Sequence, residues 1–239
     1  MSWRIIKLET TDSTQTYVKG VDGDRVVVQA DYQAAGHGQG KNKWESERGK
    51  NLLFSVKTKV SAIPANRQFL LSMAGALALR NVLEGYADGF NLKWPNDIYW
   101  KDSKISGTII DTTVAGKVIS QCIYGIGINV NQMTFASDAP NPVSLCNIIG
   151  RETDRDRILN GFLSQLDKRL EDLVDCRYEE TTAEYRQNLY RRTGFYEYED
   201  ANGRFIAEIK DVLPNGHLVL RDSVGMTRDY ELKEVKFII

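Results

Sequence analysis

The chain has 239 residues, enough for a single large α/β domain or for a large domain followed by a small one. Lysine and arginine total 31 and aspartate and glutamate total 32, so the formal net charge is −1. This balance gives no general electrostatic attraction to nucleic acids or to anionic membranes, and it excludes a role that depends on a strongly basic surface.

The cysteines and the N-terminal residues indicate a soluble, cytoplasmic protein. Cys122, Cys146 and Cys176 have no CxxC spacing, so we expect buried free thiols rather than disulfides or a zinc site. The N-terminus has neither the apolar core nor the small-residue cleavage site of a signal peptide. The most apolar run, Phe69 to Leu79, is too short to span a bilayer and predicts a buried helix.

The first part of the chain predicts strands, a brief capped helix, a long loop and a long helix. Strands are expected at 3–8, 25–29 and 51–60, the brief helix after the capping residues 11–14, and the long helix at 65–83. Between the second and third strands, Gln33 to Lys50 shows no helical or strand periodicity. Loops of this length inside a compact domain are usually functional or mobile.

The second part predicts more strands, two helices and a β-rich C-terminus. Strands are expected at 90–93, 98–100, 107–113 and 117–128, a helix capped at Thr153 or Asp154, and a polar helix at 181–190. From Phe195 onward, turn signals follow one another closely with no helical stretch between them. We therefore predict an α+β protein: a mixed sheet with helices packed on it at 1–190, and a small SH3-like β-barrel at 191–239.

A glycine-bearing segment, Gly36 to Trp44, is the first candidate site. Glycines at alternate positions let backbone amides approach an anion closely, and Lys41 and Lys43 would neutralise phosphate charge. Trp44 offers a flat face to a nucleotide base. The spacing is neither that of a Walker loop nor GxGxxG. By itself the segment is equally compatible with a solvated flexible loop.

Two further segments carry polar side chains next to apolar strands. The turn Lys93-Trp94-Pro95-Asn96-Asp97 would aim Asn96 and Asp97 at one point, where a carboxylate would bind Mg²⁺ or accept a proton from an amine. Lys104 stands at the predicted mouth of a buried strand, where it would stabilise charge developing on a phosphate or carboxylate oxygen. An ordinary turn and a surface lysine are the alternatives.

The stretch Gly125 to Asn131 alternates glycine with aliphatic residues and ends in two asparagines. Glycine inside a strand indicates close approach of backbone or ligand. If the strand continues, Asn129 and Asn131 share a face and either read an adenine edge or form a structural network. His37 and His217 are the only histidines, which excludes a histidine-based metal cluster.

Taken in order, these segments resemble the biotin protein ligase family. The motifs that carry the resemblance are Ser13-Thr14-Gln15, the glycine segment ending in Trp44, KWPND at 93–97, KxxG at 104–107 and GIGINVN at 125–131. KWPND and GIGINVN are intact and specific. The resemblance covers about Asp12 to Asn131, and the β-rich C-terminus fits the small domain of the same family. It implies a mixed-sheet catalytic domain with helices packed on one face.

The resemblance implies the activity of a biotin–[acetyl-CoA-carboxylase] ligase. In the first step biotin and Mg-ATP would react to form biotinyl-5'-AMP. In the second step biotin would pass from this intermediate to a lysine of a carboxylase carrier domain. Asp97 and Lys104 would be catalytic. The implied biotin-binding residues are Ser13, Thr14, Gln15, Gln33, Gly36, His37, Gly38, Gln39, Lys104 and Gly107. The implied ATP-binding residues are Lys41, Lys43, Trp44, Asn96, Asn129 and Asn131. No metal ligand is firmly assigned, with Mg²⁺ expected near Asp97.

The sequence departs from the family pattern at three positions. Gln15 replaces the usual asparagine, and His37 and Gln39 stand where the family often has arginines, so more charge would fall on the lysines and Mg²⁺. The chain begins at the first catalytic strand, so we expect no DNA-binding domain of the kind that repressor members carry.

The sequence is also compatible with two other functions, and it does not fix the oligomeric state. A lipoate or octanoate ligase or transferase would have a similar fold, and a non-catalytic biotin sensor would keep the pocket without turnover. An exposed sheet edge would allow a homodimer or pairing with the acceptor protein.

Overall fold

The computed structural model describes residues 2–38, 40, 43–60, 63–136 and 141–239. Its secondary structure agrees with most of the predicted elements. The strands are β1 (Arg4–Leu8), β2 (Val26–Ala30), β3 (Leu52–Lys59), β4 (Phe90–Lys93), β5 (Asp97–Trp100), β6 (Ser103–Ala115), β7 (Val118–Ile128), β8 (Tyr196–Asp200), β9 (Gly203–Val212), β10 (Leu218–Asp222), β11 (Thr227–Tyr230) and β12 (Lys236–Phe237). The helices are α1 (Thr14–Lys19), α2 (Phe69–Glu84), α3 (Leu145–Ile149), α4 (Arg155–Val174) and α5 (Tyr178–Gln187), with a 3-10 turn at Ala65–Arg67.

The larger sheet has seven strands in the order β1-β2-β3-β7-β6-β5-β4. Among the strands of the described residues in this sheet, only β1 and β2 pair in parallel, so the sheet is mixed, as predicted. Its central strands are buried on both faces because helices and loops cover them. The predicted α+β class is confirmed.

The main core lies between one face of this sheet and helices α2 and α4. Phe54 of β3 meets Phe162 of α4 edge to face, with ring centroids 5.4 Å apart, and both side chains are fully buried. Tyr124 of β7 lies against Gly75 of α2 and donates a hydrogen bond to the carbonyl of Leu71 (3.0 Å). Buried aromatic pairs of this kind provide much of the stabilisation of such a core.

The opposite face of the sheet is covered differently. Helix α1 packs there, with Val18 against Val26, Val28 and Ile123. The resemblance had implied helices on one face only, and α1 corrects that expectation. Because side chains alternate along a strand, Gly125 and Gly127 of β7 face the same side as Ile123. A strip of half-buried backbone without side chains therefore lies beside α1.

The C-terminal strands form a five-stranded antiparallel sheet in the order β11-β10-β9-β8-β12. β11 and β12 are its edges among the described residues, so barrel closure stays a prediction, as does the boundary at 190/191. Buried residues of this sheet, including Tyr198 and Leu218, belong to the same apolar cluster as α2. The indole N–H of Trp94 donates to the carbonyl of Gly216 (2.8 Å), which ties the two sheets together.

Two smaller features were not predicted from the sequence. Ser144 precedes the short helix α3, and its side chain and that of Asn147 cap the helix reciprocally. Cys176 is exposed just after α4, whereas Cys122 and Cys146 are buried, so the expectation of three buried thiols was wrong at Cys176. None of the helices in the described chain is both long enough and apolar enough to cross a bilayer.

Candidate active site

A cavity of about 830 Å³ opens beside α1 on the glycine-bearing face of the seven-stranded sheet. This size lies in the range of pockets that enclose small-molecule ligands. The predicted site residues that line it are Ser13, Thr14, Gln15, Gln33, His37, Gly38, Lys43, Trp44, Asn96, Asp97, Lys104, Gly107 and Asn129. The structure therefore brings together side chains that are more than a hundred positions apart in the sequence.

One corner of the cavity is a polar network at the start of α1. Ser13 caps the helix by accepting from the backbone N–H of Thr16 (3.4 Å). The backbone N–H and the hydroxyl of Thr14 both reach Gln33 Oε1, at 2.7 and 3.0 Å. Since the carbonyl of Gln33 is held in this way, its amide NH₂ is the group that remains for a ligand.

Gln15 occupies the position where the resemblance led us to expect asparagine. Its Nε2 donates to Asp111 Oδ2 (3.0 Å), and its Oε1 lies directly against Gly125. A side chain at position 125 would collide with this amide. The longer reach of glutamine is therefore used to tie α1 to β6 across the bare backbone of β7.

The two ends of the glycine segment lie together beside this corner. Trp44 N donates to Gly36 O (3.2 Å), and His37 forms an antiparallel bridge with Lys43. Gly36 does not line the cavity, and a Cβ there would lie 3.1 Å from the amide nitrogen of Gln33. Gln39 and Lys41, which were predicted to bind biotin and ATP respectively, lie outside the described residues.

Trp44 is packed directly onto the glycine strip of the sheet. Gly107 of β6 pairs with Gly127 of β7, and a Cβ added to either would lie 3.2 or 2.5 Å from the indole. The indole Nε1–H is buried, and no described residue accepts its hydrogen bond. Only glycine at both positions lets the ring approach the backbone this closely.

The KWPND turn joins β4 to β5 and sets Lys93 opposite Asp97 in the sheet. The peptide bond between Trp94 and Pro95 is cis. The side-chain amide of Asn96 donates to the carbonyl of Thr108, and Thr108 N donates back to Asn96 O (3.0 Å). The side-chain N–H₂ of Asn96 thus helps to hold β6, although the residue also lines the cavity.

The charged centre of the cavity is the ion pair of Lys104 and Asp97. Lys104 Nζ lies 2.7 Å from Asp97 Oδ1, and their side chains are 26% and 17% exposed. Lys104 is the second residue of β6, which begins at Ser103, so it stands at the start of the strand as predicted. The strand fixes its backbone, so its ammonium group is held close to Gly107 and Trp44.

Lys93 adds a second ammonium group to this region. Lys93 Nζ lies 5.1 Å from the ring centroid of Tyr99 and 4.9 Å from that of Phe237. Burial lowers the pKa of Lys93, and the neighbouring Asp97 carboxylate partly opposes that shift. The aromatic rings stabilise a cation that has lost much of its hydration.

The two asparagines after β7 separate instead of sharing a face. The strand ends at Ile128, so the alternation that motivated the prediction stops before either residue. Asn129 lines the cavity and donates to Val143 O (3.2 Å). Asn131 lies away from the cavity lining and exchanges hydrogen bonds with the backbone of Thr153 (2.9 and 2.8 Å).

Metal-binding capacity in the described chain is limited. No group of three histidine, cysteine, aspartate or glutamate side chains within it is arranged to hold an ion. The carboxylates that line the cavity are Glu45 and Asp97. Mg²⁺ that arrives with nucleotide phosphates needs only one or two protein carboxylates, and this donor set fits that mode of binding.

Several lining residues were not assigned from the sequence. They include Glu45, Lys93, Tyr99, Phe135 and the C-terminal residues Leu232, Lys233, Val235, Lys236 and Phe237. Lys93 could have been found, because a four-residue strand hairpin places it opposite Asp97. The C-terminal residues gave no local signal, since only long-range packing brings them to the cavity.

Residues 7–129 match the model of the family described as "Biotin/lipoate A/B protein ligase family". The chain is 31% identical over 158 residues to the biotin–[acetyl-CoA-carboxylase] ligase of Mycobacterium tuberculosis, a match that covers 63% of this chain and 56% of that protein. It is 32% identical over 128 residues to the bifunctional ligase/repressor BirA of Escherichia coli, covering 52% of this chain and 39% of BirA. The matched part thus spans about half the length of these relatives.

A solved structure, the biotin protein ligase from Aquifex aeolicus in complex with biotin and ATP, superimposes with a TM-score of 0.80. The two chains are 23% identical, and the superposition covers 98% of this chain and 99% of the other. At this identity the likeness shows the fold, including the arrangement of both sheets.

Proposed function

The chain belongs to the biotin/lipoate A/B protein ligase family, and on this premise we propose that it is a biotin protein ligase. It forms biotinyl-5'-AMP from biotin and ATP and then transfers the biotinyl group to a lysine of a biotin carboxyl carrier protein domain. The observation that carries the proposal is the placement of the Lys104–Asp97 pair in one cavity with Trp44 and the polar corner at α1.

The polar corner suits the ureido ring of biotin. A ureido group offers two N–H donors and one carbonyl acceptor, so its site needs both kinds of partner. The Gln33 NH₂ group and the hydroxyls of Ser13 and Thr14 supply them. The backbone at Gly38 and the side chain of His37 would line the path toward the carboxylate.

Adenylation takes place where Lys104 meets the nucleotide. A carboxylate oxygen of biotin attacks the α-phosphorus, the bond from that phosphorus to the bridging oxygen breaks, and pyrophosphate leaves with the electron pair. Lys104 stabilises the negative charge that builds up on the phosphate oxygens. Asp97 would help to hold Mg²⁺ that arrives with the nucleotide phosphates, and the ion would supply Lewis-acid neutralisation of the triphosphate. Trp44 would cover the adenine.

Transfer uses the other member of the ion pair. The acceptor lysine attacks the acyl carbon as a neutral amine, the bond from that carbon to the phosphate oxygen breaks, and AMP leaves. Asp97 lies beside this point and would accept the proton that the amine loses. Closure of the glycine segment over the cavity would exclude water, which otherwise hydrolyses the mixed anhydride.

The setting of the reaction follows from the same chemistry. The free thiols fit a reducing cytoplasm, where ATP and carboxylase carriers are present. The near-neutral charge favours a protein acceptor over a nucleic acid. A homodimer remains part of the proposal, because β1 is a sheet edge that a second copy could extend.

The decisive experiment is incubation with biotin, Mg-ATP and a carrier-domain fragment, followed by mass spectrometry of the fragment. We expect the mass to rise by one biotinyl group, and only when ATP is present. An unchanged mass, with a carrier that another biotin ligase modifies, would refute the proposal.

Lipoate attachment is the second candidate because the family description includes it. Thermal stabilisation by biotin and not by lipoate would separate the two, since only a bound ligand raises the melting temperature. A biotin sensor without activity would bind biotin but release no pyrophosphate from ATP.

A further inference from the structure

The side-chain amide of Gln15 has a fixed orientation in the wall of the cavity. Its Nε2 donates to Asp111 Oδ2 at 3.0 Å. An ionised carboxylate accepts hydrogen bonds and donates none, so the amide turns its NH₂ group toward Asp111. Its carbonyl oxygen then lies over Gly125, where an added Cβ would be only 2.2 Å from Gln15 Oε1. Because Gln15 and Gly125 both line the cavity, this oxygen is an acceptor turned toward the ligand.

Asp111, in contrast, is not part of the cavity lining. It follows Ile109 by two positions on the same face of β6, and Ile109 lines the cavity whereas Asp111 does not. Asp111 and Lys19 instead line a separate cavity of about 480 Å³. Lys19 Nζ lies 2.6 Å from Asp111 Oδ2, but the two side chains are 53% and 43% exposed, so this ion pair contributes little. A ligand in the larger cavity therefore meets Gln15, while Asp111 acts behind it.

Gln33 lines the same cavity with its amide in the opposite orientation. Its Oε1 accepts from the backbone N–H and the hydroxyl of Thr14, at 2.7 and 3.0 Å. A backbone N–H can only donate, so the NH₂ group of Gln33 is the part that remains for a ligand. The two glutamines thus offer complementary groups to the cavity, an N–H donor from Gln33 and a carbonyl acceptor from Gln15.

Resting on the proposed function, we infer that Gln15 Oε1 accepts a hydrogen bond from one ring N–H of biotin, and that Asp111 is the positioning residue that holds this oxygen in place. A cyclic urea carries its N–H groups beside its carbonyl, so an acceptor and a donor together recognise it. An acid that ends in a dithiolane ring or an alkyl chain has no N–H and would leave the buried oxygen unpaired. The pair therefore selects a ureido ring. Asparagine, usual in the family at position 15, is one methylene group shorter, so the arrangement belongs to the glutamine of this chain.

The test measures ligand binding by calorimetry without ATP, using biotin and its two lactam analogues, in each of which CH₂ replaces one ring N–H. Each analogue loses one donor without gaining bulk. We expect the wild type to bind one of the lactams about tenfold more weakly than biotin, as loss of a buried hydrogen bond does. Gln15→Ala should bind biotin about tenfold more weakly than the wild type and should distinguish biotin from that lactam by no more than about twofold. The other lactam should keep the same affinity ratio to biotin in both proteins.

Substitutions at Asp111 test its positioning role. Asp111→Ala should weaken biotin binding about fivefold, because the Gln15 amide is then free to turn its NH₂ group toward the ligand. Asp111→Asn keeps an oxygen acceptor for Gln15 and should retain most of the affinity. The matched control is Asp156→Ala. Asp156 likewise accepts from a glutamine amide, Gln29 Nε2 at 3.3 Å, and pairs with Lys7, but these residues lie outside the cavity lining, so biotin affinity should not change.

The outcomes separate a failure of this inference from a failure of the proposed function. A wild-type protein that binds both lactams as tightly as biotin overturns the inference without the use of any variant. It is also overturned if Gln15→Ala discriminates against both lactams as strongly as the wild type does, or if Asp156→Ala weakens biotin binding as much as Asp111→Ala. A wild-type protein that does not bind biotin overturns the proposed function instead.

Discussion

The two faces of the seven-stranded sheet use glycine for opposite purposes. On the face under α2, Gly75 makes room for the ring of Tyr124, and the contact is part of a closed apolar core. On the other face, Gly107 and Gly127 make room for Trp44, which forms the wall of an open cavity. The face under α2 stabilises the fold through side-chain packing. The cavity face has less side-chain packing, so a ligand can lie against the backbone there.

The largest effect is expected from Lys104→Ala, on the cavity face. Loss of the charge that stabilises the reacting phosphate should slow adenylate formation about a thousandfold, which corresponds to about 4 kcal/mol in the barrier. Biotin-dependent pyrophosphate release measures it. Lys117→Ala, at an exposed position in the β6–β7 turn, is the matched control. Release near the wild-type rate would remove Lys104 from the mechanism.

The second-largest effect is expected on the stability of the protein, from a substitution on the face covered by α2 and α4. Phe162→Ala should lower the free energy of unfolding by about 3 kcal/mol, because a fully buried ring that packs on Phe54 is replaced by a cavity. Urea unfolding measures the loss, with Ser164→Ala on the exposed side of α4 as control. KM values for biotin and ATP should not change under conditions where the variant is folded. If they do, the two faces are not independent.

A pair of equal substitutions tests the comparison most directly. Gly75→Ala places a Cβ 2.6 Å from Tyr124 and should cost about 1 to 3 kcal/mol of stability with unchanged KM values. Gly127→Ala forces Trp44 away and should raise KM for ATP about tenfold, as loss of one stacking contact does, with little change in stability. Thermal melting and steady-state kinetics on both variants give the answer. Equal losses of stability in the two variants would contradict the proposed difference between the two faces of the sheet.

The smallest effect concerns pH. Burial places the pKa of Lys93 below the ordinary lysine value of 10.5, so its positive charge is lost at a lower pH than that of an exposed lysine. We expect kcat/KM for ATP to fall several-fold as pH rises through this lowered pKa. Lys93→Arg should abolish the fall because arginine stays ionised. A decline of the same size in both proteins would assign it to another group.

The sequence predicted those parts of the site that are formed by residues close together in the chain. The hairpin of KWPND and the Ser13 cap were predicted because each is fixed by residues within a few positions of one another. Asn131 was assigned to the nucleotide by extending strand alternation beyond Ile128, where the strand had ended. The contact of Lys233 with Gly40 depends on how two sheets pack, and no pattern near either residue encodes it.

The family resemblance predicted the same fold from the order of the motifs, without information on how the elements pack. It placed the α1 corner, Lys104 and Trp44 in one site, and the structure brings all of them to the cavity. It did not foresee that α1 covers the face opposite α2, because motif order carries no information about the side of a sheet. Where Gln15 departs from the motif, the structure supplies the reason in its bond to Asp111.

Trp44 also gives the protein an intrinsic optical reporter. The indole N–H groups of Trp3, Trp94 and Trp100 each have a hydrogen-bond acceptor, whereas that of Trp44 has none among the described residues. Emission from an indole depends on the polarity and hydrogen bonding around it, so a molecule entering the cavity should shift the fluorescence of this tryptophan more than that of the others. Occupancy of the site can then be followed in real time without attaching any dye.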